Sequence, residues 1–228
     1  MFGDINYWLV STFVLPVLLG ITLHEAAHGW VAWKLGDNTA YDKGRVSFNP
    51  FRHIDLFGTI VLPALLVFAR APFVFGWAKP VPVHFRNLHH PRRDMVLVAA
   101  AGPFANLLIA LGAGVLLHLV GFFPSGAAEW VVRTLQNGIF VNLLLAVFNM
   151  LPVPPLDGGR VAVGLLPKAF ARPLASLERY GFFILLAVML GLPALFEALG
   201  REFSLFQSII LPVTDTLYNV VLTVTGHI

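Results

Sequence analysis

Two histidines and a glutamate stand within five residues of one another in an otherwise apolar stretch near the start of the chain. His24, Glu25 and His28 form the pattern H-E-x-x-H. Positions i and i+4 of a helix share one face, so both imidazoles can bind one zinc ion while the glutamate acts as a general base. Chance predicts only about 0.006 such patterns in a chain of this composition. A hydrogen-bonded polar cluster or a proton relay is the alternative interpretation.

A catalytic zinc site needs a third protein ligand, and the chain has no cysteine to supply one. Asp157 follows a stretch with three prolines and precedes Gly158 and Gly159. The prolines break a helix, and the glycines allow close approach of the backbone. Irregular backbone at membrane depth must be buried in protein or line a cavity, which favours Asp157 as the ligand. Asp215, which lies among hydroxyl side chains, is the alternative.

The composition indicates the environment of this cluster. Of 228 residues, 57% are hydrophobic and only 12% are charged, and the mean hydropathy is +0.79. Soluble domains have about 25% charged residues. These values exclude a disordered chain, a nucleic-acid-binding domain and an ordinary cytosolic enzyme. They predict an all-α polytopic membrane protein in a lipid bilayer.

Apolar runs long enough to span a bilayer predict five to six transmembrane helices. The five clear runs cover residues 7–35, 95–122, 138–155, 180–199 and 203–225. A sixth run, 56–75, contains Pro63, Arg70 and Pro72 and is predicted to be re-entrant, with a full span as the alternative. If the N-terminus is outside, 13 of the 15 Lys and Arg residues lie inside, and only Arg133 and Arg201 lie outside. This is the distribution that the positive-inside rule favours.

Four motifs together resemble the site-2 protease family of intramembrane zinc metalloproteases. They are the H-E-x-x-H pattern, N-x-x-P-x-x-x-L-D-G-G at 149–159, A-G-P-F-A-N at 101–106, and F-G-W-A-K-P-V-P-V at 75–83. The last is similar to small bacterial and archaeal members that lack a PDZ domain. The resemblance covers about residues 8–165, which form the core of a single membrane domain over 1–228. The C-terminal helices, at about 180–225, carry no motif of the family.

The resemblance implies a role for each matching residue. His24, His28 and Asp157 would bind one zinc ion, Glu25 would be the general base, and Asn149 would hydrogen-bond the substrate backbone or the oxyanion. The reaction would be hydrolysis of a peptide bond by zinc-activated water, on the cytoplasmic side of the bilayer. The substrate would be a transmembrane protein or a signal-peptide remnant.

Three further residues in the predicted spans, Gly102, Asn106 and Asn142, are candidates for substrate binding. Hydrogen bonding between helices is an equal alternative for the two asparagines. An extended substrate needs backbone partners, and the segment 41–49 predicts a short β-hairpin near the active site. The segment 73–83 has strand-like content. Either can offer an edge to a substrate strand, and a plain connecting loop is the alternative.

Two other functions are compatible with the same residues. An ion- or proton-conducting transporter would use His24, Glu25, His28 and Asp215 as its path. A catalytically silent relative would bind membrane proteins without cleaving them.

Overall fold

In the computed structural model, residues 6–68, 76, 78–201 and 203–228 are described, and within them the chain is helical. The longest helices are α1 (Tyr7–Lys34), α4 (Pro91–Leu116) and α5 (Ser125–Asn149). The shorter helices are α2 (Thr39–Asp42), α3 (Leu62–Phe68), α6 (Asp157–Leu165), α7 (Lys168–Ser176), α8 (Gly181–Leu186), α9 (Leu192–Ala198) and α10 (Leu211–Val224). Turns of 3-10 or π helix extend α4 to Phe122, precede α3 and α10, and join α8 to α9.

Four helical stretches in the described part are long and apolar enough to cross a membrane. They are Tyr7–Lys34, Pro91–Phe122, Ser125–Asn149 and Lys168–Ala198. The all-helical membrane protein predicted from composition is therefore confirmed, whereas the count of five to six spans is not. The run 203–225 contains Gln207, Asp215 and Asn219 and is not among the four. The run 56–75 includes a shorter apolar helix, Leu56–Leu66, and its residues 69–75 lie outside the described part.

Helices α1, α4 and α5 pack against one another and form the centre of the molecule. Ala110, Ala113, Ile139 and Leu143 are buried between α4 and α5, together with Val221 of α10. Small residues let the backbones of membrane helices approach closely. Polar bonds add to this packing where α5 meets the first turns of α1.

Two hydrogen bonds join α5 to those first turns. Trp130 Nε1 donates to Ser11 Oγ at 2.9 Å, and Asn137 Nδ2 donates to Thr12 Oγ1 at 2.7 Å. These bonds lie several turns from His24, and they fix how α1 and α5 face one another.

The 41–49 segment forms no strand in the structure, so the predicted β-hairpin is not found there. The Asp37 carboxylate accepts hydrogen bonds from Thr39 N–H at 3.1 Å and from Thr39 Oγ at 2.5 Å. These bonds favour the helical turn α2, which ends before Gly44 at φ +62°. Of the segment 73–83, residues 73–75 and 77 lie outside the described part, and 78–83 has neither helix nor strand.

The chain leaves α1 and returns to α4 at the same end of the helix bundle. His89 N–H donates to Leu35 O at 2.9 Å. Asp37 also accepts from His84 N–H at 2.6 Å and from Asn87 Nδ2 at 3.0 Å. At the other end of α4, His118 Nε2 lies 2.6 Å from Thr225 O, just beyond α10. The ends of α4 and α10 are therefore neighbours.

Replacing Asp37 with alanine is expected to destabilise the protein by about 2 kcal/mol at neutral pH, roughly 4–8 °C in unfolding midpoint. Burial raises the pKa of this carboxyl, but the hydrogen bonds from Thr39, His84 and Asn87 outweigh burial and hold the pKa below its ordinary value. A depressed folded pKa stabilises above the unfolded pKa of about 3.9 and loses that contribution as the pH falls through the folded pKa. Thermal unfolding in detergent from pH 7 to pH 3 measures this.

The difference between wild type and Asp37→Ala should therefore narrow below about pH 4. Asp42→Ala, which removes an exposed carboxylate five residues away, is the matched control and should unfold like the wild type. A pH-independent difference for Asp37→Ala would contradict this account.

Candidate metal centre

The two histidines of the H-E-x-x-H pattern face each other on α1, one turn apart. Their Nε2 atoms lie 3.1 Å apart and their ring planes are nearly perpendicular, at 86°. Both side chains are buried. The helical spacing predicted from the sequence therefore brings the two imidazole nitrogens to one point.

Asp157, the first residue of α6, completes the cluster. Its Oδ2 lies 3.2 Å from His24 Nε2 and 3.3 Å from His28 Nε2. Gly158 and Gly159 make this approach possible, because a Cβ on Gly159 would lie 2.5 Å from Pro154 N and one on Gly158 would overlap the backbone after α5. Asp215, the alternative ligand, is exposed on α10 and lies outside the cluster.

The donor set fits a zinc ion. A tetrahedral zinc with bonds of about 2.05 Å separates its ligand atoms by about 3.3 Å, which is close to the distances seen here. Asp157 Oδ2 is fully buried and accepts no hydrogen bond from the described residues. An unpaired buried carboxylate oxygen is costly, and a cation at the centre of the three atoms would remove that cost.

The Nδ1 atom of each imidazole, on the side of the ring away from the cluster, lies within hydrogen-bond distance of an oxygen atom. His24 Nδ1 lies 2.6 Å from Asn106 Oδ1, and His28 Nδ1 lies 2.7 Å from Val98 O. A carbonyl oxygen only accepts, so both rings carry hydrogen on Nδ1 and present a lone pair at Nε2. Metal-binding histidines are commonly oriented in this way.

Gly102 on α4 faces the cluster directly. A Cβ at this position would lie 2.6 Å from His24 Nε2 and would overlap His28 Nε2. The structure therefore places Gly102 where it leaves room for the ligands. Asn106 and Asn142 are fully buried and bond to each other. Substrate binding by these three residues stays a prediction.

Glu25 lies beside the histidines but points to a different element. Its Oε2 accepts a hydrogen bond from Val81 N–H at 2.7 Å. Arg45 lies close enough for its charge to interact with Glu25, and its guanidinium donates to Lys79 O at 2.6 Å. The carboxylate is thus held by the segment around 79–81 and not by its own helix.

A cavity of about 290 Å³ opens beside His24 and Glu25. Asn149, the last residue of α5, lines the cavity, and its amide donates to Leu145 O at 2.9 Å. Apolar side chains make up most of the rest of the wall: Ile21, Leu145, Phe148, Leu156, Phe182 and Leu185. The catalytic candidates therefore border a chamber whose wall is mostly apolar.

Sequence reasoning missed the contacts made by Val98, Val81 and Arg45. Two of these are backbone groups, which carry no side-chain signal in a sequence. Arg45 is a buried cation, and nothing in its local sequence separates it from the other basic residues between α1 and α4.

Comparisons with known proteins agree with this geometry. Residues 116–192 match the profile of Peptidase family M50. The chain is 37% identical over 219 residues to "Putative zinc metalloprotease YwhC" of Bacillus subtilis, covering 90% of this chain and 94% of that protein. The chain belongs to peptidase family M50. The resemblance to site-2 proteases is thereby confirmed.

Two other relatives of this M50 peptidase are more distant or matched over less of the chain. It is 32% identical over 196 residues to "Putative zinc metalloprotease Rip2" of Mycolicibacterium smegmatis, covering 82% of this chain and 70% of that protein. It is 40% identical over 151 residues to "Putative zinc metalloprotease MJ0611" of Methanocaldococcus jannaschii, covering 65% and 67%. No solved structure matches the chain. The family and the His-His-Asp cluster together make zinc its cofactor.

A substitution that fills the space at Gly102 tests the zinc site. Gly102→Ala is expected to lower zinc affinity at least 10-fold, because the added methyl group displaces imidazoles whose other nitrogens are already bonded. Zinc content after dialysis against a weak chelator measures the effect.

Gly112→Ala is the matched control on the same helix, since a Cβ there meets nothing within 4 Å. Equal zinc retention by the two variants would show that α4 does not border the metal.

Proposed function

We propose that this M50 peptidase is an intramembrane zinc endopeptidase, which cleaves a peptide bond within or near a transmembrane segment of a membrane protein or signal-peptide remnant. The observation that carries the proposal is the convergence of His24, His28 and Asp157 beside Glu25, inside a bundle of apolar helices. Three ionisable side chains buried among apolar membrane helices are costly without a function.

Each site residue has a task in the proposed reaction. His24, His28 and Asp157 hold zinc, which when bound lowers the pKa of water and polarises a carbonyl. Glu25 takes the proton from the attacking water and passes it to the leaving amine.

Asn149 is placed to assist in the same step. Its amide has two hydrogens and uses one of them on Leu145 O, so the other can donate to the oxygen that develops negative charge. Loss of one such donor typically lowers the rate about 10²–10³-fold.

The chamber beside Glu25 supports an apolar substrate. Its wall is built from aliphatic and aromatic side chains of α1, α5 and α8, which suits the side chains of a transmembrane segment. A helical substrate hides its carbonyl groups in internal hydrogen bonds, so it must unwind locally before its scissile bond can face Glu25.

The contacts at the two ends of α4 support a particular membrane topology. His84 N–H and Asn87 Nδ2 donate hydrogen bonds to Asp37, and these bonds keep the end of α1 beside the start of α4. A single full span at 56–75 would place these ends on opposite membrane faces, so we propose that 56–75 does not cross.

From the contact between His118 and Thr225, we infer that these two residues lie on the same face of the membrane. An even number of crossings must therefore lie between them, and these are α5 and one more. The proposal is thus four crossings, with the N-terminus outside and the zinc site toward the cytoplasm, as the positive-inside rule favours.

The absence of cysteine allows a direct test of this topology with single cysteines. Gly121→Cys is expected to react with a membrane-impermeant maleimide in intact cells, whereas Lys43→Cys reacts only after permeabilisation. A Cβ added at Gly121 would meet no other part of the protein within 4 Å and Lys43 is exposed, so neither substitution disturbs packing. The reverse labelling pattern would invert the proposed orientation.

The proposed reaction is tested with purified protein in liposomes and a synthetic transmembrane peptide that carries a fluorophore and a quencher at its ends. Glu25→Gln is expected to abolish cleavage and to retain about one zinc per chain, because the amide cannot accept a proton but leaves the three ligands in place. Asp157→Ala should lose zinc and activity, whereas Asp215→Ala, the control, keeps both.

Two results would overturn the proposal. Cleavage by Glu25→Gln at the wild-type rate would remove the general base from its assigned role. A wild type that binds zinc and cleaves no peptide, yet carries ions across the liposome membrane, would favour the transporter.

A further inference from the structure

Asn106 and Asn142 are two amide side chains buried in the middle of membrane-crossing helices. Both are completely inaccessible to solvent. An amide in such surroundings is costly unless its donors and acceptors are paired. The partners of these two side chains therefore indicate what the pair is for.

The hydrogen bonds of the two amides form a chain that leads from the carbonyl oxygen of Gly138 to the ring of His24. Asn142 Nδ2 donates to Gly138 O at 2.8 Å, so Asn142 Oδ1 faces away from that oxygen and accepts from Asn106 Nδ2 at 2.8 Å. The same Asn106 nitrogen donates to Gly20 O at 3.1 Å. The Asn106 oxygen then faces His24 Nδ1.

The opposite orientation of either amide is excluded by its neighbours. A flipped Asn106 would point its oxygen at Gly20 O and at Asn142 Oδ1, and a flipped Asn142 would point its oxygen at Gly138 O. Each of these contacts would join two acceptors without a hydrogen. The two backbone carbonyls therefore determine which nitrogen of His24 carries the proton.

The space for this arrangement is provided by α1. A Cβ on Gly20 would lie 2.8 Å from Asn142 Oδ1. A glycine one turn before His24 therefore leaves room for the amide of Asn142 to bond Asn106. The other ligand, His28, obtains the same orientation from Val98 O alone. Only His24 depends on side chains that substitution can remove.

We propose that Asn106, held by Asn142, is a positioning residue that keeps the His24 lone pair at Nε2 directed at the metal. The inference rests on the zinc site of the proposed function. Outer hydrogen-bond partners of metal-binding histidines typically contribute 10–100-fold to metal affinity. A substrate-binding role for the two asparagines would leave zinc affinity unchanged.

The test is zinc affinity, measured in detergent by competition with a chromophoric chelator. Asn106→Ala is expected to weaken zinc binding 10–100-fold, and Asn142→Ala is expected to weaken it less, because the bond to His24 survives without its support. Asn137→Ala is the matched control. It removes an amide of α5 that bonds Thr12 of α1, so it loses one hydrogen bond between helices of the same bundle, at a distance from the cluster.

A double-mutant cycle separates positioning from general stability. If Asn142 acts through Asn106, the Asn142→Ala change has no further effect on zinc affinity in the Asn106→Ala background. Two additive losses, or an equal loss in Asn137→Ala, would assign the effect to helix packing and overturn the inference. Thermal unfolding of the metal-free proteins identifies any variant that does not fold. If Asn106→Ala does not fold, the zinc affinity of Asn142→Ala decides: weaker binding supports the inference, and affinity within threefold of wild type overturns it.

Failure of the inference and failure of the proposed function give different results. Zinc affinity of Asn106→Ala and Asn142→Ala within threefold of wild type would overturn the positioning role while the peptidase stands. Weakened zinc in these variants, with a wild type that cleaves no peptide, would support the positioning role and contradict the peptidase.

Discussion

Three electron-rich atoms meet at one point inside this protein, and much of the structure around them serves to keep them there. Two imidazole lone pairs and a carboxylate oxygen lie 3.1–3.3 Å from one another in a buried position. They would repel in an apolar interior without a cation between them. The surrounding helices must therefore supply enough packing and hydrogen bonding to hold the cluster in a form that a cation can bind.

The three central elements divide this work. Helix α1 carries two histidines of the cluster one turn apart, α4 leaves space at Gly102 and bonds the imidazoles through Val98 O and Asn106 Oδ1, and the break after α5 brings in Asp157. A shift of α4 against α1 would therefore change the room for the ligands and the bonds behind them together. The buried residues of these three helices are mostly small or polar, which lets their backbones approach closely.

The His-His-Asp cluster could be predicted from sequence because the spacing of its two histidines determines that they share a helix face. His24 and His28 share a helix face by periodicity, and the prolines and glycines beside Asp157 indicated a buried irregular segment. The amides of Asn106 and Asn142 gave no comparable signal. A sequence shows that they can donate and accept, but the direction of their bonds depends on carbonyl groups of two other helix turns.

The predicted hairpin depended on tertiary contacts that local sequence pattern does not carry. The residues after Tyr41 that suggested strands follow a helical turn that is stabilised by hydrogen bonds to the Asp37 carboxylate. The same carboxylate also accepts a hydrogen bond from a loop 47 residues further along the chain. The C-terminal run 203–225 contains Gln207, Asp215 and Asn219 and is not among the four candidate spans. The hairpin prediction failed where one side chain joins distant segments.

Glu25, the proposed general base, is held differently from the three residues of the His-His-Asp cluster. The cluster residues lie on helices, whereas Glu25 accepts a hydrogen bond from Val81 in the segment between α1 and α4, and Arg45 bonds that segment through Lys79. A base that serves first the water and then the leaving amine must face two atoms in turn. In the proposed reaction, attachment to a loop would permit that adjustment while the three proposed ligands stay in place. Since Gly76 and Ala78 of the same segment border the chamber, a substrate that enters it also contacts the element that orients the base.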